Sequence, residues 1–245
     1  MEKPAQTLSL PGRCTVTLAF IVRNEEKGLQ ALLPQVPLEV FDDCFAIDGH
    51  STDGTVTVLE AHGVPVHRQR VRGLGAAMLQ ARQQVATDAF IYFHPDGNED
   101  PADLPRMAGL LRQGHAFVVA SRMIPGARNE EDGQLFKWRK YANQGLALLA
   151  NLLFARDGNR TTDVTNGLRG IHCTAFDAMQ LSAHDLTLDY QMIIRALKLN
   201  IPITEFPTHE GKRLFGTTNF PSISTGVSEL RLLWREMLLG RRKVA

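Results

Sequence analysis

Four short apolar runs, each released into a turn and each of the first three followed by a helical stretch, constrain this chain more than any other feature. Thr15–Val22, Asp43–Ile47, Val64–His67 and Ala89–Phe93 are dominated by β-branched, aromatic and other apolar residues. Between them, Leu29, Leu32 and Leu33 space like a helix that stops at Pro34; Thr55 to Ala61 reads as a second helix and Arg72 to Val85 as a third. Strands apolar on both faces need cover on both sides, and alternating helices supply it. The alternation predicts an α/β fold built on a doubly wound, mostly parallel sheet with right-handed crossovers.

The pattern loosens in the second half. Leu104–Arg112 reads as a helix and Ala116–Ala120 as a strand. Arg122–Gln134, interrupted by Pro125, Gly126 and Gly133, reads as a mobile loop. Phe136–Ala155 is a long helix with apolar residues on most faces, which calls for burial or another surface to lie against. Gly167–Ile171 and Ile201–Phe206 read as strands around a helix at Asp189–Leu199, and Glu210–Asn219 as a charged loop. Residues 1–13 read as a short disordered lead. Val227–Leu239 is amphipathic: Val227, Leu230, Trp234, Met237 and Leu238 share one face, Glu229, Arg231, Arg235 and Glu236 lie away from it, and Arg241, Arg242 and Lys243 follow. The expected organisation is a main domain over 14–220 and an amphipathic, basic helix over 221–245.

Bulk properties narrow the function classes. A net charge of +1 over 245 residues gives no general reason to bind nucleic acid. Three dispersed cysteines, Cys14, Cys44 and Cys173, suit a reducing cytoplasm better than a disulfide framework or a zinc site. Met1–Arg13 lacks the apolar centre of a signal peptide. The longest apolar stretch, Gly145–Ala155, is interrupted by Asn151 and is about half the ~20 residues a spanning helix requires.

Chemistry concentrates where the strands end. The first strand ends in Asn24-Glu25-Glu26, the second in Asp48-Gly49-His50-Ser51-Thr52-Asp53-Gly54-Thr55, and the fourth in His94-Pro95-Asp96-Gly97-Asn98-Glu99-Asp100-Pro101. Turns favour Asp, Asn and Gly in any protein, and Asp53 suits a helix cap. Three oxygen-rich loops in register at one sheet edge still point to a ligand site, because open α/β sheets bind ligands at their carboxyl edge. Asp48 ends a buried strand, where an unpaired carboxylate is costly, and it suits the hydrogen-bond donors of a nucleobase or ribose. Gly73-Leu74-Gly75, beside Arg70 and Arg72, opens a helix whose amides suit an anion, although helix packing accounts for the glycines equally well.

Taken in order, Asn24-Glu25-Glu26, Asp48 to Thr55, Gly73-Leu74-Gly75-Ala76-Ala77 and Asp96-x-Asn98 resemble the GT-A, family 2 glycosyltransferases, in particular the dolichol-/polyprenyl-phosphate mannose synthase-like branch. Asp163-x-x-Asn166-Gly167-Leu168-Arg169, Glu205-Phe206-Pro207 and Arg213-x-x-Gly216-Thr217-Thr218 extend the resemblance to roughly Val16–Asn219. It implies a nucleoside-diphosphate sugar (UDP- or GDP-) held by Asn24, Glu25, Asp48, Asp53, Gly73 and Gly75, with Arg213 on the diphosphate. It also implies a divalent metal (Mg2+ or Mn2+) near Asp96 and Asn98. Where the family carries Asp-x-Asp, this chain reads His94-Pro95-Asp96: either His94 joins the metal as a less typical ligand, with Glu99 or Asp100 to compensate, or it merely packs and leaves Asp96 as the sole strong ligand of a weakened or lost metal site. Inverting transfer to a polyprenyl phosphate is the expected reaction, since a phosphate monoester is a nucleophile without a base. A soluble or glycan hydroxyl acceptor would instead want a carboxylate base, for which Asp163 and Asp189 are the candidates. A non-catalytic nucleotide-sugar-binding module is the remaining alternative. The C-terminal helix suits an anionic membrane surface at the cytoplasmic face, or a docking surface in a homodimer.

Overall fold

A computed structural model describes residues 13–134, 136–211, 222–240 and 243–244. Its seven-stranded sheet runs in the order β3-β2-β1-β4-β6-β5-β7. The strands are β1 (Val16–Val22), β2 (Asp43–Asp48), β3 (Val66–Arg68), β4 (Ala89–Phe93), β5 (Phe117–Ser121), β6 (Arg169–His172) and β7 (Ile203–Pro207). The helices are α1 (Glu26–Leu32), α2 (Thr55–Ala61), α3 (Leu74–Gln84), α4 (Asp103–Arg112), α5 (Trp138–Phe154), α6 (Cys173–Met179), α7 (Leu188–Leu199) and α8 (Ser222–Leu239).

β1 shows why the sheet is enclosed. All seven of its residues are buried. Val16, Leu18, Phe20 and Val22 pack with residues of α1 and α4, while Ala19 and Ile21 pack with residues of α3, α5, α6, α7 and α8. Successive side chains of a strand point to opposite faces, so a strand apolar at every position is stable only with a layer on each side. From β1 the chain winds through β2 to β3 and then returns to place β4 on the opposite side of β1. That reversal opens a crevice at the carboxyl ends of β1, β2 and β4.

The second half departs from the expected pattern in three ways. β6 is antiparallel to both neighbours, β4 and β5, and carries the chain back between two parallel groups. α6, which the periodicity did not reveal, starts directly at the end of β6. The 122–134 segment is tied down: Arg128 bridges to His209, and Glu210 accepts hydrogen bonds from Asn129 Nδ2 and the Glu130 amide.

α5 buries Asn143, Leu146, Ala147, Ala150 and Phe154 along one face and exposes its other face. α8 packs on α5 and α7 through Leu232 and Leu233, with Glu229 and Glu236 also turned inward. Its predicted apolar face, Val227, Leu230, Trp234, Met237 and Leu238, points to solvent instead. The inward acid is stabilised by α7: Glu236 accepts from Arg195 Nε at 2.9 Å and Lys198 Nζ at 2.6 Å.

Candidate active site

The loops after β1 and β2 are built against each other. Asn24, at φ +56°, accepts the Thr52 amide at 2.8 Å, and its own amide donates to Ser51 Oγ at 2.9 Å. Thr55 Oγ1 accepts the Glu25 amide, Asp53 accepts the Glu26 amide, and Glu26 accepts the Gly54 amide. Asp48 is wholly buried, and its carboxylate accepts the Ser51 amide at 3.0 Å. These short polar side chains satisfy loop amides that would otherwise be left to water.

Gly73 at the start of α3 has φ +121°, and a Cβ there would lie 2.0 Å from the His184 carbonyl oxygen. Only glycine lets α3 begin this close to the 183–188 segment. Gln69, just past the end of β3, donates to the carbonyls of Val71 and Gly73, both at 2.6 Å, and shapes the same loop.

After β4, Glu99 folds back on His94. Its Oε2 accepts the His94 amide at 2.7 Å, and its Oε1 meets His94 Nδ1 at 2.9 Å. Burial works against the imidazolium, but the Glu99 carboxylate reverses this with help from Asp96 and Asp189 and pushes the His94 pKa up to about 9. Asp96 accepts the Asn98 amide at 3.0 Å. Two buried atoms here find no hydrogen-bond partner, Asn98 Oδ1 and His94 Nε2.

A second network closes the opposite wall. Asp163 is fully buried and receives Arg122 Nε and Nη2, both at 2.8 Å, Asn143 Nδ2 at 2.8 Å, and the amides of Arg122, Thr165 and Asn166. Burial alone would raise its pKa; Arg122 outweighs that and holds the carboxyl down at about 2. Glu210 takes the remaining arm of Arg122 at 2.6 Å. Glu205 on β7 fixes the same loop by accepting from the Thr161 and Thr162 hydroxyls and the Thr162 amide.

Asp189, in the first turn of α7, has the opposite surroundings. It is buried, its Oδ1 has no hydrogen-bond partner, and the nearest cation, Arg169 Nε, is 3.7 Å away. Burial raises its pKa, only partly offset by Arg169 and His94.

These walls enclose a cleft of about 1140 Å³, ample for a nucleotide sugar. Of the residues the sequence pointed to, Glu25, Gly73, His94, Asp96, Asn98 and Asp189 line it. Asn24, Asp48 and Asp53 are engaged in hydrogen bonds that hold the loops after β1 and β2, and Gly75 packs closely on the backbone of residues 183–185. The oxygens of Asp163 are saturated by donors and Arg122 keeps it ionised, surroundings that suit an anchor for Arg122 better than a base. Arg213, with Gly216, Thr217 and Thr218, lies outside the described residues.

The metal expectation survives in part. Asp96 and Asn98 offer hard oxygen donors, the kind Mg2+ and Mn2+ prefer, and the partnerless Asn98 oxygen fits a cation. His94 has Nδ1 held by Glu99 and a buried, partnerless Nε2, the arrangement in which a carboxylate orients an imidazole whose other nitrogen can meet a metal. Glu99 is turned to His94, and Asp100 Oδ1 accepts the Ala102 amide much as Asp96 Oδ1 accepts that of Asn98. Among the described residues no group of three or more His, Cys, Asp or Glu side chains could hold an ion.

Sequence reasoning gave no role to Arg122 or Glu210 and quoted Asn166 only within a motif; all three line the cleft. Arg122 directly follows β5, so the strand-end rule applied to the other loops would have found it.

The family model described as glycosyl transferase family 2 matches residues 18–179. The solved structure of glucosyl-3-phosphoglycerate synthase from Mycobacterium tuberculosis, in complex with Mn2+, UDP-glucose and phosphoglyceric acid, superposes with a TM-score of 0.68 at 19% identity, covering 98% of this chain and 87% of that one. The fold is therefore that of the GT-A glycosyltransferases. The chain belongs to glycosyl transferase family 2 and is a nucleotide-sugar-dependent glycosyltransferase. Glycosyltransferase AglJ of Haloferax volcanii is 26% identical over 219 residues, which is 87% of this chain and 68% of AglJ. The undecaprenyl-phosphate mannosyltransferase of Micrococcus luteus is 27% identical over 180 residues, 67% of this chain and 70% of that protein. The low-salt glycan biosynthesis hexosyltransferase Agl6 of Haloferax volcanii is 24% identical over 229 residues, and the match spans only 53% of its length.

Proposed function

We propose that this chain carries out inverting transfer of a sugar from UDP- or GDP-sugar to a polyprenyl phosphate at the cytoplasmic face of a membrane. The observation that carries the acceptor is a groove that shares Gly73, Leu74 and Leu186 with the cleft and ends against Ser224, Thr225 and Ser228 of α8. The groove, about 250 Å³, is mostly apolar and suits the first units of an apolar chain whose phosphate sits in the cleft. The similarity to an undecaprenyl-phosphate mannosyltransferase supports the same reading.

In this reaction an acceptor oxygen forms a bond to the anomeric carbon from the face opposite the diphosphate. The bond from that carbon to the diphosphate oxygen breaks, and its electron pair leaves with the nucleoside diphosphate. The exposed arginines at the cleft rim, Arg23, Arg70 and Arg72, meet the negative charge of the donor. Asp96 and Asn98 would hold a divalent cation, which when bound neutralises the departing diphosphate. A phosphate acceptor needs no proton removed.

A second reading, transfer to a hydroxyl, is favoured by Asp189 alone. Its buried carboxylate lines the cleft with one oxygen free of hydrogen bonds and only a long ion pair to Arg169, so it is placed to take a hydroxyl proton, and its raised pKa makes it a stronger base than an ordinary aspartate. One experiment separates the two: UDP- and GDP-sugars assayed against undecaprenyl phosphate and against glycan hydroxyls, with wild type and Asp189→Asn. Product on the lipid phosphate that survives the substitution supports the first reading. Product on hydroxyls alone, lost with Asp189, replaces it with the second.

A further inference from the structure

Ten of the twelve large apolar side chains exposed among the described residues lie on α5 and α8, and these two helices pack against each other. The most exposed are Tyr141, Leu148 and Leu152 of α5 and Leu230, Trp234 and Leu238 of α8, between 50% and 73% accessible. Solitary exposed apolar residues are ordinary in any protein; a concentration on adjoining helices marks an interaction surface.

The charges of α8 are sorted in a way that a solvent-facing helix does not need. Both of its acids face inward: Glu229 is 7% accessible and Glu236 is fully buried against Arg195 and Lys198. Both of its cations, Arg231 and Arg235, are exposed among the outward apolar residues. α5 contains no acid at all and exposes Arg139, which pairs with Glu130 of the preceding loop at 3.2 Å. The chain after α8 continues with Arg241, Arg242 and Lys243. The outward face of the pair therefore combines large apolar side chains, aromatic residues on both helices (Trp138 and Tyr141 on α5, Trp234 on α8) and cations, with no helix acid among them.

We propose that α5 and α8 together form a docking surface for an anionic lipid bilayer, lying in the plane of the interface. The charge pattern selects this occupant. Apolar side chains enter the headgroup–acyl boundary, aromatic rings settle at headgroup level, and the interleaved arginines meet anionic headgroups. A second copy of the same face would set arginine against arginine with no outward helix acid to pair them. The surface deepens the lipid-acceptor reading, on which its meaning for catalysis rests: α8 begins at the groove that leaves the cleft, so docking brings an acceptor's polar end to the donor.

The test is co-sedimentation of the full chain with phosphatidylcholine vesicles containing about a third phosphatidylglycerol, beside pure phosphatidylcholine vesicles. Variants are Trp234→Ser with Leu238→Ser, Leu148→Ser with Leu152→Ser, and Arg231→Glu with Arg235→Glu. The wild type is expected to sediment with the anionic vesicles only, and each pair of substitutions to weaken that binding at least about tenfold. Each variant should keep the wild-type melting temperature and its UDP- or GDP-induced rise, so a folding defect is excluded. A wild type that stays in solution with anionic vesicles overturns the proposal. So does vesicle binding that all three variants retain, or a stable dimer in solution that the same substitutions dissociate while vesicles are ignored. Transfer to detergent-dispersed undecaprenyl phosphate without vesicle binding would remove the docking surface and leave the acceptor reading. Vesicle binding without such transfer would do the reverse.

Discussion

An Asp189→Asn variant keeps the side chain's shape and removes its ability to take a proton. If a hydroxyl is the acceptor, turnover should fall about 10²- to 10⁴-fold while donor binding is unchanged. Burial raises the Asp189 pKa, and a base works only when ionised. Activity on a hydroxyl should therefore fall on the acid side through a pKa above the ordinary aspartate range, a limb visible in the pH profile of kcat/KM and absent in the variant. Asp163→Asn has a different consequence. It leaves the buried guanidinium of Arg122 short of its main partner, which should cost about 3 kcal/mol and roughly 10 °C in Tm. The sign of the pH dependence follows from its depressed pKa. Stability from ionised Asp163, roughly 2 kcal/mol, is present above the ordinary aspartate value of 3.8 and is lost as pH falls toward about 2. Denaturant titration of wild type and variant between pH 2 and 6 checks this: the gap between the two curves should narrow at the acid end. Both aspartates were visible in the sequence as acids at the right places. Which one is an anchor was not, because the Arg122 that saturates Asp163 lies 41 positions away.

At the scale of elements, the α7–α8 contact depends on one buried acid. Glu236 lies between Arg195 and Lys198 and also accepts from Gln191 at 3.2 Å. Glu236→Gln strands two buried cations and should destabilise the protein by about 3–5 kcal/mol in urea unfolding, far more than a change at exposed Arg235. The early strands and helices were legible because strand and helix periodicities differ and Pro34, Gly54 and Gly63 punctuate them. β6 was legible as a strand, but its direction was not, since an antiparallel strand between β4 and β5 has no distinct composition. α6 was missed because it follows β6 without a turn and spans only seven residues. The orientation of α8 was misread for a stronger reason. Periodicity finds an apolar stripe, and ordinarily that stripe faces the core; here Arg195 and Lys198 on α7 offer the acidic side a better site.

For the molecule as a whole, the cleft predicts linkage between donor, cation and stability. UDP or GDP should raise Tm more in the presence of Mg2+ or Mn2+ than after chelation, because a ligand that binds only the native state stabilises it. Asp96→Ala should abolish that cation-dependent increment while leaving the Tm of the ligand-free protein within about 2 °C. A cation increment that persists in Asp96→Ala would place the ion elsewhere.

The amino-acid sequence by itself determined the layered α/β architecture, the edge of the sheet that carries the site and the family, since apolar periodicity and strand-end loops are local and survive reading in one dimension. The loop after β4 was recognised from its residues alone, and Asp96 and Asn98 do line the cleft. Only the tertiary structure decided the surroundings of each acid and the exposure of each helix. A carboxylate's chemistry is set by the donors and cations packed around it, and a helix's outward face by the partners its other face finds; both come from distant parts of the chain.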